Sequence, residues 1–210
     1  MHTLFNLDNP FFQFLARLAD LAVLSLLCMF CCIPVITVGP AFSAISKVTQ
    51  GLLRDELMGG VVSGFFKAFK DNLKQAMVLW LGAAVVLAAL FCDFVLLKAL
   101  VEGPLFTVLV VILFLLAVLV SAVLIYLFPL VARYENTLKE HIKNACILSI
   151  LYLPRTVLLL LVHAAPLILA LFLPDVLIYT LPFWVFLGCG VISYADSSVM
   201  KPIFDKLEEH

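Results

Sequence analysis

Five stretches of this chain contain no Asp, Glu, Lys or Arg. They cover residues 21–46, 75–92, 103–132, 156–174 and 176–195, running for 26, 18, 30, 19 and 20 residues. About 20 apolar residues in a helix cross a hydrocarbon core about 30 Å thick, and a helix satisfies its own backbone N–H and C=O groups where no water can. The composition agrees: 65% of side chains are hydrophobic, 13% are charged and the mean hydropathy is +1.19, whereas a soluble domain carries about 25% charged residues. The sequence therefore predicts a single all-α domain over residues 1–210, a polytopic helical membrane protein with five transmembrane helices near 13–36, 75–97, 104–131, 155–173 and 176–198. No stretch is left over for a separate soluble domain, and the lipid bilayer is its first partner.

The 13 Lys/Arg nearly balance the 14 Asp/Glu, so there is no basic surplus for nucleic acid. Their placement carries the orientation. Lys47, Arg54, Lys67, Lys70 and Lys74 lie between spans one and two, Arg133, Lys139, Lys143 and Arg155 between three and four, and Lys201 and Lys206 in the tail. The positive-inside rule then puts the C-terminus in the cytoplasm and the N-terminus outside, with Tyr126, Tyr134, Tyr152 and Tyr194 near the inner interface. Asn9 caps a first span that begins near Pro10, and Arg17 pairs locally with Asp20 at the outer end. No basic leader or small-residue cleavage site marks a signal peptide. Pro34 and Gly39-Pro40 close the first span, Gly103-Pro104 and Pro154 precede spans three and four, and Pro166 and Pro182 kink spans four and five.

The two basic connections resemble each other. FKDNLKQAMVL from Phe69 aligns with LKEHIKNACIL from Leu138, which reads as a parallel two-fold repeat of a cytoplasmic amphipathic lead-in helix followed by two spans. In the first lead-in, Phe65, Phe66, Phe69 and Leu73 share one face, while Lys67, Lys70, Asp71 and Lys74 share the other. Such a helix lies along the inner leaflet as a basic collar. Its alternative use is as a docking surface, formed by Phe65, Phe66, Lys67, Phe69, Lys70 and Lys74 with Lys139 and Lys143 of the second lead-in.

Catalytic signatures are missing from the sequence: it contains no G-x-x-x-x-G-K-[ST], H-E-x-x-H or G-x-S-x-G. No catalytic residue, cofactor or metal is expected. Cys28, Cys31 and Cys32 fall inside span one and read as packing residues, as do the scattered Cys92, Cys146 and Cys189. One ionisable group falls at mid-membrane depth, His163, a turn before Pro166 and level with Gly188 and Gly190 of span five. A buried structural histidine is the ordinary reading and a ligand or proton site the alternative. Asp93 and Asp196 are placed near span ends, within reach of water.

The leader FNLDNPFF, the turn from Pro34 to Pro40, FFKAFKDNLKQA from Phe65, FPLVARYENTLKEHIKNA from Phe128, Pro154-Arg155 and PIFDKL from Pro202 resemble the YesL family of bacterial membrane proteins. The segment LMGG from Leu57 departs from the more polar spelling of that family. The resemblance implies a multi-pass protein of the bacterial cytoplasmic (inner) membrane, associated with carbohydrate ABC importers, and it transfers no catalytic residue. The leading expectation is an accessory or modulator of carbohydrate uptake with importer components as partners. Alternatives are an autonomous facilitator or channel with a path near His163, and an intramembrane enzyme acting on a lipid-linked glycan; a homo-oligomer is compatible with each.

Overall fold

The computed structural model describes residues 10–57 and 59–208. Asn9, with the capping role expected of it, and Met58 lie outside the described residues. In chain order the helices are α1 (Pro10–Cys31), a 3-10 turn (Val35–Thr37), α2 (Val38–Arg54), α3 (Val61–Asp71), α4 (Leu73–Leu100), α5 (Pro104–Arg133), α6 (Leu138–Leu151), α7 (Leu153–Phe172) and α8 (Pro174–Phe183); α8 passes through a π-helical stretch (Trp184–Gly188) into α9 (Cys189–Glu208). Among the described residues there is no strand. Five helical segments are long and apolar enough to cross a membrane: Phe11–Cys31, Leu73–Leu100, Pro104–Arg133, Leu153–Phe172 and Asp175–Glu208.

Local chemistry accounts for the boundaries. Pro104 and Pro154 stand in the first turns of α5 and α7, where a missing N–H costs nothing. Thr137 caps α6: its hydroxyl accepts from the Glu140 N–H, and the Glu140 carboxylate accepts from the Thr137 N–H at 2.9 Å. Pro166 and Pro182 lie inside α7 and α8. The π-helical stretch begins two residues after Pro182, a single widened turn of the kind that interrupts an α-helix locally.

The first span closes at Pro34 as expected, but the residues after it form a second helix: the chain is broken between Cys31 and Val35, where the Thr37 hydroxyl lies 2.6 Å from the Cys31 carbonyl and 2.7 Å from that of Pro34. Their directions follow from their partners. Arg17 and Ser25 of α1 meet Tyr194 and Gly190 of α9, so α1 is antiparallel to α9. Thr49 and Arg54 of α2 meet Ser193 and Asp205, so α2 is parallel to it. The chain therefore turns back at Pro34, and Arg17 reaches Asp55 at 3.7 Å. Its expected partner Asp20, one turn away on the same helix, is replaced by a residue beyond α2.

α2 also changes the role of α3. The face of α3 bearing Val61, Phe65 and Ala68 is buried with Ile45 and Val48 of α2, so protein covers the side that sequence periodicity assigns to lipid. The two aligned connections fold differently as well: the first crosses the α3–α4 break at Asn72, and the second lies wholly within α6. A second core joins α5, α6, α7 and α9 through Tyr126, Leu130, Leu148, Leu159, Met200 and Phe204. Arg54, Arg133, Asp205 and Glu208 tie the C-terminal ends of α2, α5 and α9 together. This is the polar end of the bundle. At the other end α4 and α5 extend as a hairpin with exposed Val85, Phe91, Leu100, Phe114 and Leu115, side chains suited to lipid.

Candidate functional site

Polar groups recur every three or four residues along α9, and each meets another helix. The Gly190 N–H donates to Ser25 Oγ of α1 at 2.7 Å, and Arg17 donates to Tyr194 Oη at 3.2 Å. Thr49 Oγ1 of α2 lies 3.0 Å from Ser193 Oγ and 2.8 Å from Ser197 Oγ. Asp196 Oδ2 is 3.4 Å from His163 Nε2 of α7. Lys201 donates to the Leu53 carbonyl at 3.1 Å, Asp205 pairs with Arg54, and Glu208 accepts from Arg133 at 2.6 Å. This spacing keeps the groups on neighbouring faces of one helix, and α9 becomes the element through which α1, α2, α5 and α7 are joined by polar contacts.

His163 and Asp196 form the most deeply placed ionisable pair of this seam. His163 Nδ1 lies 2.9 Å from the Leu159 carbonyl, and a carbonyl only accepts, so Nδ1 carries the hydrogen. Asp196 is 8% exposed, and its Oδ1 has no hydrogen-bond partner. This corrects its expected place at a wet helix end: α9 continues twelve residues further to Glu208, leaving Asp196 packed between helices. Pro166 follows in α7, but the two glycines serve other contacts. A Cβ on Gly190 would run into the Leu21 carbonyl of α1, and one on Gly188 would meet Trp184 of its own segment. The polar periodicity of Ser193, Asp196, Ser197 and Lys201 is the sequence signal that points to this seam.

The expected contact surface divides in two. Phe65 is fully buried, and Phe69 is partly buried against it with ring centroids 6.3 Å apart. These two therefore belong to the core, because α2 occupies their face. Phe66, Lys67, Lys70, Lys74, Lys139 and Lys143 are exposed. Lys67 lines a cleft of about 320 Å³ with Lys47, Arg54, Glu56, Asp71 and Arg133. It adjoins a cleft of about 500 Å³ that shares Lys47, Asp71 and Arg133 and is otherwise lined by groups including Gln75, Asn136 and Glu140. Hydrogen bonds from the Thr137 N–H and hydroxyl hold the Glu140 carboxyl below the usual carboxylate range.

His141 of α6 is fully buried, and neither ring nitrogen has a partner. Burial pushes its pKa down, opposed by the neighbouring Glu140 charge. The unfolded chain takes up this proton near pH 6.5 and the folded chain only below that. The contribution of His141 is thus complete above about pH 6.5 and is lost as the pH falls through the lowered value. Melting of the purified protein at about pH 7.5 and pH 5.5 should show a smaller drop for His141→Leu than for the parent. Equal drops would assign the acid sensitivity elsewhere.

The six cysteines are all free thiols, and those of Cys28, Cys32 and Cys189 lie close together where α1 meets α9. Among the described residues no three His, Cys, Asp or Glu side chains are grouped to hold a metal ion.

Comparison with known proteins bears on the first half of this arrangement. Residues 18–94 match DUF624, a protein family of unknown function. The matched residues take in most of α1, all of α2 and α3, and most of α4, so they include Gly39, Thr49 and the exposed residues of α3 but stop before His163 and α9. No curated protein and no solved structure matches the chain.

Proposed function

We propose that the protein is a non-catalytic accessory of carbohydrate import in a bacterial inner membrane, anchored by its apolar helices and using its polar end to contact an importer component in the cytoplasm. The observation that carries this reading is the combination of exposed Phe66 with Lys67, Lys70 and Lys74 beside the clefts lined by α2, α3, α5 and α6. An apolar anchor beside cationic side chains suits a partner helix or an acidic segment. The basic connections favour the cytoplasm for this end. Arg17, bound to Asp55, brings the beginning of α1 toward the same side, so in this reading the start of α1 lies at the cytoplasmic face, opposite to the outward placement expected from the charge pattern. The carbohydrate assignment rests on the resemblance to YesL proteins.

The test is affinity capture from native membranes in a mild detergent, comparing the parent with Phe66→Ser/Lys67→Glu/Lys70→Glu. These side chains are exposed, so the fold should survive their replacement. Importer components should come down with the parent and fall by roughly tenfold in the variant, the loss expected when about 1.4 kcal/mol of contact energy is removed. A parent sample without any importer component would count against the reading, and sugar flux through liposomes containing the purified protein alone would favour a facilitator instead.

A further inference from the structure

The contact between α7 and α9 has an unusual property. With Nδ1 committed as donor to the Leu159 carbonyl, a neutral His163 presents a bare lone pair at Nε2. An ionised Asp196 presents only lone pairs at Oδ2, and the two atoms face each other at 3.4 Å. Two acceptors do not hold each other. The contact is attractive when a proton lies on either side of it, giving an imidazolium beside a carboxylate or a neutral imidazole beside a carboxylic acid. Both arrangements contain one proton more than the empty pair.

We propose that His163 and Asp196 form a proton-binding site between α7 and α9, which holds one exchangeable proton and fastens the two helices only while that proton is present. Asp196 differs in this from the carboxylates at the polar end. Asp205 and Glu208 are paired with arginines, which stay charged at every accessible pH. Among the described residues His163 is the one ion-pair partner of Asp196, and Oδ1 is buried without any hydrogen bond.

The surrounding elements supply few competing charges. From α5 comes Tyr126, whose hydroxyl is 3.1 Å from Thr156 Oγ1, and from α7 comes Arg155, over the Tyr152 ring. On α9 itself Tyr194 and Lys201 are engaged by Arg17 and the Leu53 carbonyl. Arg17 of α1 is held by Asp55, and Arg54 of α2 by Asp205. Lys47 of α2 lies in the clefts of the polar end. Asp175 and Tyr179 of α8 lie before the π-helical stretch. The thiols of Cys28, Cys32 and Cys189 group at the α1–α9 contact. A medium poor in water strengthens the dependence of this contact on its proton, since an uncompensated carboxylate has no solvent to turn to.

The inference is independent of any partner, so the test is made on the full-length chain alone in lipid nanodiscs. Nitrogen NMR on histidine-labelled protein reads both ring nitrogens, with His163→Gln identifying the signal among the four histidines. In the parent at neutral pH, Nε2 should be displaced from the position of a bare imidazole nitrogen. On raising the pH it should move to the bare position in one step, with release of about one proton per chain and a fall in melting temperature over the same interval. In Asp196→Asn the side-chain amide donates to Nε2 without a titrating proton, so the step and the fall in melting temperature should both vanish. A bare Nε2 in the parent at neutral pH overturns the proposal, as does an identical pH profile for parent and Asp196→Asn. If that variant does not fold, the parent spectrum alone decides.

Discussion

Gly190→Ala should melt well below the parent, although it adds a single methyl group to a helix interior, where alanine is ordinarily the better residue. The new carbon would occupy the space of the Leu21 backbone carbonyl and lie 3.0 Å from Ser25 Oγ. A carbonyl within α1 cannot swing aside as a side chain can, so α1 and α9 must separate, and the bond from the Gly190 N–H to Ser25 goes with them. Overpacking of this kind costs about 1–3 kcal/mol, and in lipid the close approach of small residues is a main source of helix association. Gly39→Ala should behave likewise, because its Cβ would strike the Ala76 carbonyl and Trp80 of α4. Gly82, inside α4 with nothing near its missing side chain, is the control: replacing it with alanine should be neutral or gain up to about 1 kcal/mol. Heating followed by size-exclusion measurement of the surviving folded fraction compares the three. Gly190→Ala and Gly82→Ala melting together would mean that α1 and α9 do not meet as described.

Thr49→Val should also be strongly destabilising. The Thr49 hydroxyl has one hydrogen and two lone pairs. It sits 3.0 Å from the Ile45 carbonyl and within 3.0 Å of the hydroxyls of Ser193 and Ser197, all buried. Valine keeps the shape and removes the node, leaving two serine hydroxyls without their cross-helix partner at about 1–3 kcal/mol for each buried group left unpaired. The triple variant Thr49→Val/Ser193→Ala/Ser197→Ala should recover much of the loss, since removing every member of a buried network is far less costly than removing one. A triple variant less stable than Thr49→Val by the sum of two further serine losses would show that these hydroxyls contribute independently.

The helices best read from the sequence were those whose surroundings are uniform. α4, α5 and α7 are apolar around their circumference, and lipid imposes no register that sequence has to encode. Their starts at Pro104 and Pro154 were equally legible, because a proline at a first turn acts locally. α2 was hidden for the opposite reason. Its Gly39, Ala41, Ser43, Ala44, Ser46 and Thr49 are buried, but small and hydroxylated residues carry little hydropathy signal, so the turn at Pro34 was legible and the helix after it was not. Missing α2 led to the outward placement of Phe65 and to the pairing of Arg17 with Asp20. His163 was legible as an ionisable group at depth. Its partner Asp196 was not, because charge-free runs end at the first carboxylate whether that residue meets water or another helix.

Chain chemistry by itself determined that this protein is helical and lipid-compatible, where its long apolar helices run and where its basic connections fall, since each property depends on residues near one another in sequence. Tertiary structure alone decided that α1 and α2 double back, that α9 gathers the polar contacts, and that His163 faces Asp196. Those outcomes depend on close approach at Gly39 and Gly190 and on hydrogen bonds between groups more than a hundred residues apart, and sequence spacing carries no record of such distances.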